Sequence, residues 1–285
     1  MLSILVTGAK GQLGSEIFFL ADQYPFLNFI FVDKNLLDIS DRQVVDDFFK
    51  EYEVDVIINC AAYTAVDKAE SDQVMAKKVN HLAVKNLIDA SSKQKIPFIH
   101  ISTDYVFDGK GFKPYATDDP KDPQNVYGKT KMQGEDALFQ SGLDNLMLIR
   151  TSWVYSSFGN NFVKTMLRLG AERESIGVID DQVGSPTYAR DLARFILESI
   201  PRINWEGVKT FHFTNEGVCS WFDFAKAIMD IKGLNCKVNP IPTENYPTPA
   251  KRPHYSVLDK RDTREFYRQE IPYWRDSLEK CLELL

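Results

Sequence analysis

Residues 8–14 read Gly-Ala-Lys-Gly-Gln-Leu-Gly, a G-x-x-G-x-x-G string. It lies between an apolar run at residues 2–7 and a stretch that carries Leu13, Ile17 and Leu20 at helical spacing. No other feature limits the fold as tightly. Glycines at a strand's end let the backbone turn sharply and approach a pyrophosphate, and the helix that follows offers it free N–H groups and a partial positive charge. A second apolar run, 29–32, ends at Asp33, which stands 19 residues beyond Gly14, where a carboxylate takes adenosine ribose hydroxyls. Gly8, Gly11, Gln12, Leu13, Gly14 and Asp33 are therefore candidate cofactor-binding residues. A carboxylate at that place repels a 2′-phosphate and favours NADH. Lys34 beside it offsets the repulsion, so NADPH and NADH both stay open.

The alternation continues downstream. Helical spacing at 41–52, 71–92 and 126–139 is interleaved with apolar runs at 54–59, 97–102 and 146–150. Strands that alternate with helices predict an α/β fold, a Rossmann-type doubly wound parallel sheet covered on both faces. Beyond Arg150 the pattern loosens into helix at 161–170, strand at 176–179, helix at 189–200 and strand at 210–214. Ser220 opens a further helix with Asp223 three positions on, and Gly233 stops it. Pro240, Pro242, Pro247, Pro249 and Pro253 then exclude a central strand or helix and predict a long ordered loop or linker. The pattern divides the chain into a dinucleotide-binding domain at 1–155, to which 187–215 returns, and a smaller, mixed domain formed by 156–186 and 216–285.

A formal net charge of −6 argues against a protein whose main partner is nucleic acid. Four cysteines without a C-x-x-C pair imply no zinc or disulfide framework and suit a reducing compartment. No secretory leader and no run of membrane-spanning length is present, so a cytoplasmic location is expected.

Two further elements carry chemistry. Tyr127 and Lys131 are four apart, hence one turn apart on one helix face. A free phenol is a poor acid–base group at neutrality, and an ammonium nearby lowers its pKa towards a useful range. The strand at 97–102 leads into Ser102 and Thr103 at its carboxyl end, where open sheets bind ligands. A hydroxyl there can hold a developing oxyanion beside Tyr127.

Taken with the glycine loop, residues 102–109, 125–131, 150–155, 159–162, 181–187 and 247–253 make the chain resemble the dTDP-4-dehydrorhamnose reductases of the extended short-chain dehydrogenase/reductase superfamily. The resemblance implies reduction of the C4 keto group of dTDP-4-dehydro-L-rhamnose to dTDP-L-rhamnose with NADPH or NADH, within cell-surface polysaccharide synthesis. It implies that Tyr127 gives the proton, that Lys131 tunes the phenol and holds the nicotinamide ribose, and that Thr103 bonds the carbonyl. It places Tyr105 and Trp153 beside the sugar, and Asn161 and Arg252 at the pyrophosphate or nucleotide. Asp38, Ile39, Ala61, Ala62 and Tyr63 match stretches near the adenine and the dinucleotide backbone. The second domain would then hold the nucleotide sugar. The family's interface magnesium site matches at Glu16 alone; Arg190 stands where another acid is expected, and the chain ends early at Leu285. Bound Mg2+ is therefore not expected, and any homodimer would form without that site.

Two other readings accompany this one. One is another nucleotide-sugar enzyme of the same scaffold, an epimerase or dehydratase. Dehydratases follow the threonine with Asp-Glu, whereas here Asp104-Tyr105 follows. The other is a dinucleotide-binding regulatory subunit resembling that of methionine adenosyltransferase, although a site kept for binding alone needs no proton donor.

Overall fold

The computed structural model describes residues 1–202 and 207–285; residues 203–206, inside the 187–215 stretch, lie outside the described residues. From the N-terminus come β1 (Leu2–Thr7), α1 (Gln12–Leu20), β2 (Leu27–Val32), α2 (Arg42–Glu51), β3 (Val56–Asn59), the short α3 (Val66–Ala69) and α4 (Gln73–Lys77), α5 (Ala83–Gln94), β4 (Phe98–Thr103), α6 (Val126–Gln140) and β5 (Leu146–Thr151). They are followed by β6 (Val154–Tyr155), α7 (Phe162–Glu172), β7 (Ser175–Ile179), β8 (Val183–Gly184), β9 (Thr187–Tyr188), α8 (Ala189–Ser199), β10 (Val208–His212), β11 (Cys219–Ser220), α9 (Trp221–Lys232), β12 (Lys237–Ile241), α10 (Arg261–Tyr267) and α11 (Trp274–Leu282).

Six strands form one parallel sheet in the order β10-β5-β4-β3-β1-β2. Successive side chains of a strand point to opposite faces, and both faces here are covered. Ile4 and Val6 pack with Ile17, Leu192 and Phe195 of α1 and α8. Leu5 packs the other way, with Val45, Phe49 and Leu87 of α2 and α5. From β1 the chain moves outward to β2, then returns to β1's other side as β3. That reversal opens a crevice at the carboxyl ends of β1 and β3.

A separate hydrophobic cluster joins α7, β7, α9 and α11 through Met166, Val178, Phe224, Ile228, Trp274 and Leu278. Phe266 and Tyr267 of α10, although inside 216–285, pack instead with Phe195 and Phe211 on the main sheet.

Three expectations change. The helix expected at 71–92 is interrupted by a π-helical turn at Lys78–Leu82. Asn80 of that turn is fully buried and bonds both the Tyr63 backbone and Thr130, so the wider turn carries a side chain inward to satisfy polar groups. The strand expected at 210–214 is shifted to Val208–His212. The proline-rich stretch is not all loop: Pro240 lies within β12, opposite Val178 of β7. That sheet has two strands, so each keeps an open edge where a missing N–H costs no ladder bond.

Candidate active site

The loop after β1 needs glycine for stated reasons. Gly8 has φ +65°, and a Cβ there would meet the Ala61 backbone nitrogen at 2.7 Å; one on Gly14 would meet Ala9 Cα at 2.7 Å. Gly11 caps α1 with no side-chain acceptor, which leaves the first-turn N–H groups to face an anion. The cradle therefore fits a dinucleotide pyrophosphate by its chemistry. Gln12 extends it: the Asn161 amide donates to Gln12 Oε1 at 2.9 Å.

A cleft of about 520 Å³ opens beside this loop, lined by Gly11, Gln12, Leu13, Ala62, Thr103, Tyr105, Tyr127, Lys131, Trp153 and Asn161 among others. Sequence reasoning thus names ten residues that the fold brings together. Tyr127 and Lys131 reach the cleft from the first turns of α6, whose N-cap Asn125 accepts from the Gly128 N–H at 2.8 Å. Gly128 permits α6 to lie against the Tyr105 carbonyl, where a Cβ would clash. The Tyr105 ring then meets Tyr127 edge-on, with centroids 5.4 Å apart.

Burial pushes the Tyr127 phenol up to about 12, while its neighbour Thr103 pulls it the other way. The expected lowering by Lys131 does not occur in this arrangement. The Lys131 ammonium donates to the Ile101 carbonyl at 2.6 Å and lies 3.4 Å from His100 Nε2. Burial brings Lys131 itself down to about 8, against the pull of Glu135. The phenol is therefore fully protonated at neutral pH. Thr103 Oγ1 donates to Asp104 at 2.9 Å and accepts from the Tyr105 N–H at 3.2 Å. Trp153 holds φ 49°, a costly region for a large side chain, and stacks on Trp221 with centroids 3.5 Å apart.

The other named residues stand outside this cleft. Asp33 closes a neighbouring hollow with Lys10, Phe31 and Leu36. Its carboxylate pairs with Lys10 and accepts the Asn35 and Leu36 N–H groups, so the lysine, first among the causes, holds it below the usual range. Asp38 accepts from Ser40, and Ile39 is buried in the α2–α5 layer. Ala61 backs the loop, and Tyr63 bonds Asn80 and Asp72. Arg252 forms a bidentate pair with Asp67 at 2.7 and 3.0 Å. Glu16 is fully buried, accepting from Ser156 at 2.6 Å and Arg190 at 2.7 Å. The Arg190 guanidinium thus meets this carboxylate inside the chain.

Sequence reasoning missed a polar support beneath the cleft. Glu135, one turn beyond Lys131, is fully buried and accepts two bonds from Arg150 at 2.9 Å and one from Ser102 at 2.5 Å. An arginine inside an otherwise apolar strand was the available signal.

A glycine cradle at the switch point of a parallel sheet, with Thr, Tyr and Lys along one cleft, is the fold and chemistry of a Rossmann-type NAD(P)H-dependent oxidoreductase. A family model described as the RmlD substrate binding domain matches residues 2–285. The spore coat polysaccharide biosynthesis protein SpsK of Bacillus subtilis (strain 168) is 39% identical, the alignment covering 99% of this chain and 98% of SpsK. Two solved dTDP-4-dehydrorhamnose reductases superpose along the whole length. That of Clostridium acetobutylicum has 43% identity, TM-score 0.92 and 99% of both chains covered. That of Bacillus anthracis, in complex with NADP, has 37% identity, TM-score 0.93 and 100% of both chains covered. The chain belongs to the RmlD family, that of the dTDP-4-dehydrorhamnose reductases.

Proposed function

We propose that this protein reduces the C4 keto group of dTDP-4-dehydro-L-rhamnose to give dTDP-L-rhamnose, with NADPH or NADH as reductant. One observation carries the reading: relatives that bear this activity in their names match along the whole chain, and the residues the chemistry requires line a single cleft. That SpsK is a spore coat polysaccharide biosynthesis protein agrees with such a product.

The loop at Gly8–Gly14 and the N-terminus of α1 would hold the pyrophosphate, and Asp33 with Lys10 would face the adenosine ribose. When bound, the reduced nicotinamide supplies a hydride. Tyr127 holds the balancing proton. A phenol of pKa about 12 is loaded at every physiological pH, and an alkoxide is basic enough to take its proton. Thr103 offers a hydroxyl to the same oxygen. Lys131, whose ammonium is held by Ile101 and His100, would donate to the nicotinamide ribose. Tyr105 and Trp153 supply aromatic walls for the C–H faces of a deoxysugar. Asn161 holds the loop after β6 against Gln12, and Arg252 reaches the nucleotide only by loosening its pair with Asp67. The separate core of α7, α9 and α11 serves as the floor of the substrate-binding unit. An assay against several 4-keto nucleotide sugars tests the assignment. Oxidation of NADPH or NADH is expected with the rhamnose precursor, and its absence with every sugar contradicts it.

A further inference from the structure

Three non-glycine residues among those described hold a left-handed backbone: Lys95, Trp153 and Arg268. Lys95 and Arg268 are the C-caps of α5 and α10, where that conformation stops a helix. Trp153 ends no helix. It stands between β5 and β6, in a region that bulky side chains rarely enter. Such a conformation persists where its surroundings hold it. The backbone does so in part: the Trp153 carbonyl accepts from the Thr187 N–H at 3.2 Å, and Ser152 Oγ donates to the Ser185 carbonyl at 2.9 Å. Two neighbours hold the ring. Trp221 covers one face, its own plane within 9° of parallel. Gly184 lies at the ring's edge, where a Cβ would come within 2.8 Å of Cε2. Both neighbours come from one short ladder: Cys219 of β11 pairs with Gly184 of β8, and Trp221 follows as the first residue of α9. Phe162 and Phe224 brace Trp221 in turn, with centroids 4.7 and 6.4 Å away. Of the two indoles, Trp153 alone is among the described residues that line the cleft.

We propose that Trp221 is a positioning residue: it locks the Trp153 indole as a rigid platform for the sugar ring, and so sets the affinity for the sugar without touching it. The proposal rests on the reductase reading above, in which Trp153 flanks the sugar. The stack leaves one face of Trp153 uncovered, and that face meets the C–H face of a deoxysugar as long as the ring stays in place. Without Trp221, the strained backbone of Trp153 is free to relax and to carry the ring off the cleft wall. Binding then falls by the fraction of molecules that still hold the ring in position. Contact with the C–H face changes little as C4 is reduced. The loss therefore weakens ground state and transition state alike and falls on KM rather than kcat. A flat ring at position 221 keeps the stack, whereas an aliphatic side chain fills the volume without a plane to hold the indole.

The test joins steady-state kinetics to circular dichroism. Two parallel indoles in contact couple their transitions, so the wild type should show a far-ultraviolet exciton couplet that is lost in both Trp153→Ala and Trp221→Phe. Trp221→Leu should raise KM for dTDP-4-dehydro-L-rhamnose roughly three- to tenfold, with kcat, KM for NADPH and the inhibition constant of dTDP, which has no sugar, within about twofold of wild type. Trp221→Phe should recover most of that loss. A double-mutant cycle then shows whether Trp221 acts through Trp153: in a Trp153→Ala chain, whose KM is already raised, Trp221→Leu should add nothing further. Trp221→Met, a gentler change, takes the place of Trp221→Leu in every arm if the latter does not fold. A wild type without the couplet, an unchanged KM in Trp221→Leu, no recovery with Trp221→Phe, or a further rise in the Trp153→Ala chain overturns the proposal. Failure of the reductase reading looks different: the couplet is present, and the wild type reduces no 4-keto sugar.

Discussion

Single charged groups in the interior set the clearest expectations. Glu135 neutralises Arg150 where both are almost fully buried. Glu135→Ala leaves a guanidinium without its partner and should cost about 3–5 kcal/mol of unfolding free energy in urea. Loss below about 1 kcal/mol would mean that Arg150 finds another acceptor. His212 lies beside that pair, and burial, then the Arg150 charge, push its pKa down to about 3 from 6.5. His100 is lowered in the same direction by burial and Lys131. Both are neutral in the folded chain: the stability tied to His212 is fully present above the unfolded value of about 6.5 and is lost as pH falls towards its folded value of about 3, and His100 acts in the same direction. The urea midpoint should drop through that window, and His212→Gln should flatten part of the drop. An unchanged slope in that variant would show that carboxylates alone drive it.

Elements were legible where a local rule and the global fold agree. The five strands before residue 152 were readable because a fully covered parallel sheet shows itself as apolar runs, and β3, β4 and β5 run into Cys60, Thr103 and Thr151 of the cleft. The helix α9 was marked at both ends, and the structure holds the Ser220–Asp223 capping box and Gly233 at φ +63°. Ser220→Ala should therefore cost about 1 kcal/mol in urea; no measurable loss would mean that the α9 terminus is satisfied otherwise. The break in the helix at 71–92 was not legible, since it serves Asn80, whose partners Tyr63 and Thr130 come from distant segments. Pro240 misled for a similar reason: proline excludes a central strand, but only the fold shows that β12 has an open edge. At the site, Thr103, Tyr127 and Lys131 were readable from spacing. Where the Lys131 ammonium goes was not, because Ile101 and His100 on the adjacent strand decide it.

At the scale of the whole molecule, polar contacts tie the start of α1 to the segment that leads into α7: Gln12 bonds Asn161, and Glu16 accepts from Ser156. A dinucleotide held by the glycine loop binds the folded chain alone. At a hundredfold excess over its dissociation constant, NADP+ should add about 2.7 kcal/mol of stability, seen as a higher melting temperature. A Gly14→Ala chain, whose new Cβ meets Ala9 Cα at 2.7 Å, should lose that increment; an equal rise in both would place the dinucleotide elsewhere. The central claim is that a buried, permanently loaded phenol completes a reduction begun by a nicotinamide. Its most direct test follows the near-ultraviolet absorbance of NADPH when dTDP-4-dehydro-L-rhamnose is added to the wild type and to Tyr127→Phe. Rapid loss with the wild type, slowed by roughly 10²-fold or more in the variant at equal cofactor affinity, is the expected result. Equal rates in the two chains would contradict the account.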